Sequence, residues 1–197
     1  MNRERFEMQL AFILEVDKEK NILRQTHLSG HGRRENDAEH AWHIAMMIYL
    51  LKEYSNEYFD VAKAMMMALI HDIVEIDAGD TYAYDTKELA TQKEREEKAA
   101  ERIFGMLPDD QRDELRDLFE EFEAGDTAEA RFVKTMDNFQ PLLLNDSNGG
   151  TDWREHKATR TKVVGRQQTS RLGSEVIWEY TEQLIKNNIN KGSIKDE

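Results

Sequence analysis

The chain contains no cysteine. Disulfide bonds, thiolate nucleophiles and cysteine-ligated zinc fingers are therefore excluded, because each of them needs a cysteine sulfur. The sequence also has only two prolines and ten glycines, so few residues mark tight turns. Its apolar residues recur at helical spacing instead, which argues against a β-sandwich or a β-barrel.

Long apolar runs are absent as well. No run reaches the roughly 18 to 20 residues that a membrane-spanning helix needs. The opening segment MNRERFEMQLAF lacks the apolar centre and the small-residue cleavage site of a signal peptide. We therefore expect a soluble, cytoplasmic protein that has no membrane partner.

Positive charge is scarce. The 197 residues include 27 Lys and Arg against 40 Asp and Glu, for a formal net charge of −13. Nucleic-acid polymers are held mainly by Lys and Arg, so we do not expect one as a partner. A small phosphate ester that reaches the protein through a metal ion remains compatible with this charge.

The hydrophobic content of 39% is sufficient for a continuous core in a chain of this length. The helical periodicity predicts an all-α fold, a helical bundle in a single domain over residues 1–190. Within it we place C-terminal helices at about 153–188. Residues 191–197 are expected to form a flexible tail.

Local patterns predict the individual elements. Apolar stripes indicate helices at about 4–16 and 37–54, and a buried helix at about 60–76 that contains the run AMMMALI. The polar segments 24–36 and 145–152 are interpreted as loops. Pro141 is expected to kink or end the helix in which it lies.

The pair His71-Asp72 follows directly after the apolar stretch 64–70, and Glu75 comes one helical turn later. A deeply buried helix should not carry an imidazole and two carboxylates without partners. A metal cation is one such partner. A structural interpretation, in which His71 is hydrogen-bonded in the core and Asp72 holds it, fits the pair alone equally well.

Two further segments favour the metal. His40 lies in ENDAEHAWHIA, on the inner side of the preceding helix, and Asp137 lies in VKTMDNF, among apolar residues. An acid inside such a pattern is unfavourable unless it is paired, so Asp137 is a candidate fourth ligand. Nitrogen and oxygen ligands together suit a borderline or hard divalent ion.

The order H…HD…D formed by His40, His71-Asp72 and Asp137 resembles the HD-domain metal-dependent phosphohydrolases. The segments RRENDAEHAWHIA and ALIHDIVEIDAGDTYAYD are similar to the 5′-deoxynucleotidase branch of that family. The resemblance covers roughly residues 6–144, and it implies a motif core at about 24–144. It implies the helical HD-domain fold and, by its pattern of dimeric members, a homodimer.

The resemblance also implies roles for individual residues. His40, His71, Asp72 and Asp137 match the ligands of one divalent ion, which could be Mn, Co, Mg, Zn, Fe or Ni. Glu75 matches the acid that acts as general base on the attacking water. Asp80 matches a second acid beside the reacting phosphate.

Arginines of the N-terminal part match the family's phosphate contact less directly. Arg24 is the nearest match, although Gln25 stands where an aromatic residue usually follows that arginine. Arg33 and Arg34 are alternative anion contacts because they precede His40 in the same segment. These residues complete the expected substrate-binding set.

The expected activity is removal of the 5′-phosphate from (deoxy)nucleoside monophosphates by a metal-activated water. One alternative is an HD hydrolase that acts on dNTPs, phosphodiesters or (p)ppGpp-like nucleotides. The other is a non-catalytic metal-binding protein with the same fold. The sequence does not choose a nucleobase or a native metal.

Overall fold

The computed structural model describes residues 3–79 and 86–197. Over these residues the chain is mainly helical, as the periodicity predicted. The helices are α1 (Arg3–Val16), α2 (Asp37–Leu51), α3 (Val61–Ile70), α4 (Glu75–Ala78), α5 (Thr86–Phe104), α6 (Asp109–Ala124), α7 (Ala128–Ser147), α8 (Thr151–Glu155), α9 (Arg160–Gln167), α10 (Ser170–Gly173) and α11 (Glu175–Asn190). Short 3₁₀ turns at Asp17–Asn21 and Lys52–Tyr54 follow α1 and α2.

The centre of the molecule is formed where α2, α3 and α7 pack against one another. Ile48 of α2, Met67 of α3, and Phe132 and Met136 of α7 are completely buried there. Because these three helices also carry the polar residues singled out in the sequence, the core brings those residues together.

Side-chain caps fix where the central helices begin. Asn36 accepts a hydrogen bond from the backbone N–H of Glu39 at 2.9 Å, and the Glu39 carboxylate accepts one from Asn36 N at 3.2 Å. This capping box satisfies two backbone donors at the start of α2. Asp60 caps α3 and Thr127 caps α7 in the simpler one-sided way.

The segment predicted as a loop at 24–36 contains a small antiparallel hairpin. Strand β1 (Leu23–His27) pairs with β2 (Arg34–Asn36), and the register is irregular between the pairs Leu23–Asn36 and His27–Arg34. The residues of this segment are mostly polar and do not alternate regularly. For this reason the spacing of apolar residues did not indicate the two strands.

Other boundaries also differ from the sequence prediction. The helix expected at 60–76 is divided into α3 and α4 by a turn at residues 71–74. Of the kink or end expected at Pro141, the end does not occur, because helix α7 runs through Pro141 to Ser147. Buried Leu142 and Leu144 beyond it pack into the protein, which offsets the loss of one helical hydrogen bond.

The C-terminal part is more broken and better packed than expected. The helix expected to begin at 153 is divided into α8 and α9, and residues 191–197 return to the molecule. Ile194 is 1% exposed, and the backbone of Lys195 bonds to Ala158 and Arg160 at 3.0 and 2.8 Å. The expected flexible tail is therefore anchored by the buried Ile194 side chain and by backbone hydrogen bonds to residues 158–161.

Among the described residues, every helix is too short or too polar to cross a bilayer.

Candidate metal centre

The four predicted ligands converge at one place in the core. His40 comes from α2, His71 and Asp72 follow the end of α3, and Asp137 comes from the middle of α7. His40 Nε2 lies 3.1 Å from Asp137 Oδ1 and 4.0 Å from Asp72 Oδ2. His71 Nε2 lies 3.1 Å from Asp72 Oδ1 and 3.8 Å from Asp137 Oδ1.

The turn after α3 aims the His-Asp pair into this cluster. His71 Nδ1 donates a hydrogen bond of 2.8 Å to Ala68 O, the carbonyl that residue 72 would address in a continued α-helix. The backbone then closes a tighter turn through Glu75 N and Asp72 O at 2.9 Å. This local competition explains why the helix predicted at 60–76 is interrupted at its two candidate ligands.

The hydrogen-bond partners fix which ring nitrogen of each histidine faces the cluster. A carbonyl oxygen only accepts, so the ring proton of neutral His71 is on Nδ1 and the lone pair is on Nε2. His40 Nδ1 lies 3.0 Å from the Gln140 amide oxygen. Gln140 Nε2 donates to Glu35 Oε1 at 2.7 Å, so its oxygen must face His40. His40 therefore also presents the lone pair of Nε2.

These donors fit a divalent cation. Two imidazole lone pairs and two carboxylates face one another, and they repel unless a proton or a cation lies between them. His71 Nε2 is buried and, although Asp72 Oδ1 is near, makes no hydrogen bond of acceptable geometry to any described residue. One ligand atom from each of His40, His71 and Asp72 lies within 4.8 Å of the others. Nitrogen and carboxylate ligands suit a borderline or hard ion.

Charge in the cluster keeps most of these groups in the state that binds a metal. Burial, reinforced by the charge of Arg24, lowers the pKa of His40 to about 4, so its ring is neutral near pH 7. Burial opposes ionisation of Asp72, but the charges of His71 and Arg24 hold its pKa below the usual range. Burial also opposes protonation of His71, yet the adjacent carboxylates raise its pKa. A bound cation would take the place of that His71 proton.

Arg24 closes one side of the cluster from strand β1. Its guanidinium is buried, and Nη1 donates to Asp72 Oδ2 at 2.7 Å and to Asp37 Oδ1 at 3.2 Å. Such charge-assisted hydrogen bonds are roughly twice as strong as neutral ones. Arg24 therefore fixes the position of a candidate metal ligand.

The cluster opens into a cleft with a cavity volume of about 350 Å³. Phe119 and Phe122 give it an apolar wall. Among the described residues, the charged ones that line it are Arg24, Asp72, Glu75, Glu96, Glu123, Lys134, Asp137 and Arg166. Because these are five carboxylates and three cations, the cleft would repel a phosphate unless a cation compensates the excess.

The other predicted site residues divide between this cleft and the surface. Glu75, at the start of α4, is 9% exposed and lines the cleft. Asp80 lies outside the described residues. Arg33 is exposed and pairs with Glu39, while Arg34 donates to Gln25 Oε1 at 2.8 Å. The structure therefore does not bring Arg33 or Arg34 to the cleft.

Three residues of α7 and α9 that the sequence analysis did not select belong to this region. Gln140 orients His40, and Lys134 and Arg166 line the cleft. An amide among the apolar residues of α7 could have identified Gln140, by the argument that identified Asp137. The structure shows this amide completely buried. No comparable signal marks Lys134 or Arg166, because helices commonly carry such cations on their exposed faces.

Known proteins that are similar to this chain agree with the resemblance seen in its motifs. The model of the family described as HD domain matches residues 16–178. A 5′-deoxynucleotidase HDDC2 from Homo sapiens is 33% identical over 111 residues, which are 56% of this chain and 53% of that protein. A 5′-deoxynucleotidase from Shewanella oneidensis is 34% identical over 128 residues, covering 60% of this chain and 65% of its own length.

The chain thus spans about half to two thirds of the length of these curated relatives. A solved structure covers far more. The crystal structure of a "predicted metal-dependent phosphohydrolase" from Magnetospirillum magnetotacticum MS-1 superposes with a TM-score of 0.92 at 46% identity. That similarity covers 97% of this chain and 96% of the other.

Proposed function

Because this chain belongs to the HD domain family, we propose that it is a divalent-metal-dependent phosphohydrolase that removes the 5′-phosphate from (deoxy)nucleoside monophosphates. The observation that carries this proposal is the convergence of His40, His71, Asp72 and Asp137 at the head of a cleft that also holds Glu75. The names of the similar proteins support both the reaction and the substrate class.

His40, His71, Asp72 and Asp137 would hold the ion, through Nε2 of each histidine and the carboxylates. A divalent ion, when bound, makes water more acidic and withdraws charge from phosphoryl oxygens. Mn, Co, Fe, Ni, Zn and Mg all accept such nitrogen and oxygen ligands, and cellular supply often decides between them.

Glu75 is the proposed general base. Its carboxylate lines the cleft and its backbone N–H bonds to Asp72 O, which places it next to the ligand pair. It accepts a proton from the attacking water as the new P–O bond forms. The P–O5′ bond breaks, the 5′ oxygen takes up a proton, and the products are a nucleoside and inorganic phosphate. Asp80 is proposed to act beside the phosphate.

We assign the phosphate contact to Arg24 rather than to Arg33 or Arg34, because Arg24 alone of these three arginines lines the cleft. Both of its carboxylate bonds come from Nη1, and guanidinium nitrogens offer five donors in all. Lys134 and Arg166 add positive charge to the same cleft. They are placed to bind other oxygen atoms of the nucleotide.

We also propose a homodimer that uses the outer face of α2. Trp42, Met46 and Tyr49 lie one turn apart on that face and are 62%, 39% and 52% exposed. A row of large exposed apolar residues is typical of a protein interface. Light scattering after size exclusion should give twice the chain mass, and Trp42→Glu should give the monomer. A monomeric parent protein at micromolar concentration would overturn this part.

The test of the proposed activity is phosphate release by protein that has been stripped of metal and resupplied with Mn²⁺, Co²⁺ or Mg²⁺. The substrates are ribo- and deoxynucleoside monophosphates, dNTPs and a bis-ester. We expect metal-dependent phosphate from the monophosphates. His71→Ala is the matched variant that should lose both the metal and the activity.

Two results would contradict the proposal. Activity confined to triphosphates or diesters would leave the metal site intact and change the substrate class. No phosphate release from any substrate, with metal bound in the expected amount, would favour the non-catalytic alternative.

A further inference from the structure

A second group of side chains of metal-ligating types lies outside the lining of the cleft, beside the turn of the β1–β2 hairpin. His27 ends β1, His31 lies in the turn, and Asp152 lies in α8. His27 Nδ1 is 2.7 Å and His31 Nε2 is 3.8 Å from the same oxygen, Asp152 Oδ1. One ligand atom from each residue lies within 4.8 Å of the others. None of the three lines the cleft.

The backbone around this group is held in place. Asp152 Oδ2 accepts a hydrogen bond from His27 N at 3.1 Å, which leaves Oδ1 for the ring nitrogens. Asn148 accepts from His31 N at 2.7 Å and donates to His27 O at 3.2 Å. These bonds come from the α7–α8 corner, so the hairpin turn and that corner form one local unit.

His31 has a backbone conformation that other residues would adopt more easily. Its φ is +55°, in the left-handed region that favours glycine and asparagine. This conformation places the centroid of its ring 4.5 Å from the centroid of the His27 ring, and the angle between the two ring planes is 18°. The stacked rings turn His27 Nδ1 and His31 Nε2 toward the same carboxylate oxygen, Asp152 Oδ1.

We propose that His27, His31 and Asp152 form a second metal site for a borderline divalent ion such as Zn²⁺. The ligand atoms are His27 Nδ1, His31 Nε2 and Asp152 Oδ1, and water completes the coordination. Two imidazoles and one carboxylate are a common ligand set for zinc, cobalt, nickel and ferrous iron. Zn–N bonds of about 2.0–2.1 Å place neighbouring ligand atoms about 3.3 Å apart. The ring of His31, whose side chain is 40% exposed, can close the remaining distance.

An ion at this position would clip the hairpin to α8. The same hairpin carries Arg24, whose guanidinium contacts Asp72 in the cleft. The clip therefore stabilises the strand that supplies this contact without taking part in the reaction. A purely structural role, in which His27 anchors to Asp152 by a hydrogen bond, would need neither His31 nor a metal.

The first test counts ions. Full-length protein is equilibrated with a small excess of Zn²⁺, freed of unbound metal and analysed by mass spectrometry of the metal content. We expect two ions per chain for the parent protein and one for His31→Asn. Asparagine tolerates the positive φ of residue 31, so this variant removes the ligand without new backbone strain. His156→Asn, at an exposed histidine just after α8, is the matched control and should keep two ions.

The second test locates the ion. Zn²⁺ titrated into protein whose cleft site is already filled should shift the ring-proton NMR signals of His27 and His31 together, and those of His156 should stay unchanged. One ion per chain in the parent protein, or two in both the parent protein and His31→Asn, would overturn the proposal. Since turnover depends on the cleft, His31→Asn should remain active, so this result is distinguishable from failure of the proposed function.

Discussion

Gln140 decides which ring nitrogen of His40 can bind a metal. Its amide oxygen faces His40 Nδ1 because its nitrogen is committed to Glu35 and approaches His43 Nδ1 at 3.0 Å. Residues that orient a ligand histidine typically contribute 10- to 100-fold to metal affinity. The role of Gln140 is therefore positioning, exerted through His40.

Replacing Gln140 by leucine should weaken metal binding by roughly 10- to 100-fold, because His40 would lose its orienting acceptor. Turnover at saturating metal should recover most of its rate. Metal titration followed by activity at each concentration measures both quantities. Gln167→Leu, which removes another buried amide, controls for lost stability. An unchanged metal affinity in Gln140→Leu would rule out this role.

Glu75 carries the proton transfer in the proposed reaction. Glu75→Gln keeps the shape of the side chain but removes the base, so turnover should fall by at least ~10²-fold while metal binding is preserved. The control is Glu101→Gln at an exposed position of α5. A near-normal rate in Glu75→Gln would move the general base to another residue.

Glu19 is a buried acid whose charge destabilises the fold. It is 3% exposed, and its Oε1 has no hydrogen-bond partner among the described residues. Burial, with the charges of Asp72 and Asp37, raises the pKa of Glu19 from 4.5 to about 8. The stabilisation from its neutral form is therefore complete below pH 4.5 and is lost as the pH rises toward 8.

Glu19→Gln should consequently be more stable than the parent protein at pH 8, by about 2–4 kcal/mol, and nearly equal to it at pH 4.5. Urea unfolding at fixed metal concentration, repeated across this pH range, measures the difference. Glu179→Gln on the exposed side of α11 should show no such pH-dependent gain. A constant difference between Glu19→Gln and the parent protein at all pH values would contradict the assignment.

Much of the candidate site could be predicted residue by residue. His40, His71, Asp72 and Asp137 were selected because each places a polar group in an apolar pattern, and the structure brings all four together. Their roles as ligands stay a prediction. Arg33 and Arg34 share a segment with Arg24, but residue type alone does not predict which of these arginine side chains lines the cleft.

At the level of the elements, helices with one apolar face were predictable and interruptions were not. The division between α3 and α4 depends on a hydrogen bond from the His71 side chain to the Ala68 carbonyl. The spacing of apolar residues does not indicate such a bond. Helix α7 continues through Pro141 because packing of the residues beyond it outweighs the lost backbone bond. Tertiary contacts thus determine where these helices end, which helix propensity alone does not predict.

The packing of α10 against α7 leaves no space at Gly173. A Cβ added there would lie 2.3 Å from Thr135 Oγ1 and 2.4 Å from Arg131 O, a backbone atom that cannot move away easily. Gly173→Ala should therefore destabilise the protein by about 2–3 kcal/mol, as overpacking does elsewhere.

The matched control is Gly165→Ala in α9, where an added Cβ meets no atom within 4 Å. This change should stabilise the protein by about 0.5–1 kcal/mol, since alanine favours a helix over glycine. Thermal unfolding of the two variants should give shifts of opposite sign. Equal shifts would show that α10 can move away from α7.

For the molecule as a whole, the all-α fold predicted from helical periodicity is confirmed, and the small hairpin is the main addition. The core is formed where α2, α3 and α7 meet, and the same helices hold the candidate ligands. Fold stability and metal occupancy should therefore be linked.

Removal of the metal should lower the melting temperature. An ion present at about 1,000 times its dissociation constant adds about 4 kcal/mol, which corresponds to roughly 8–16 °C for a chain of this size. Differential scanning calorimetry with Mn²⁺ and then with a chelator measures the shift. Asp137→Asn should show a much smaller metal-dependent shift, and an equal one would place the stabilising ion elsewhere.

The order of the four candidate ligands along the chain also determines when they could bind a metal together. His40 and Asp137 touch in the folded protein but are 97 residues apart in sequence. A ribosome adds about 5–20 residues per second, so roughly 5–20 s separate the synthesis of these two residues. During that interval the nascent chain offers an incomplete ligand set with weak affinity. On this assignment the ion would be bound with full affinity only after α7 has been made.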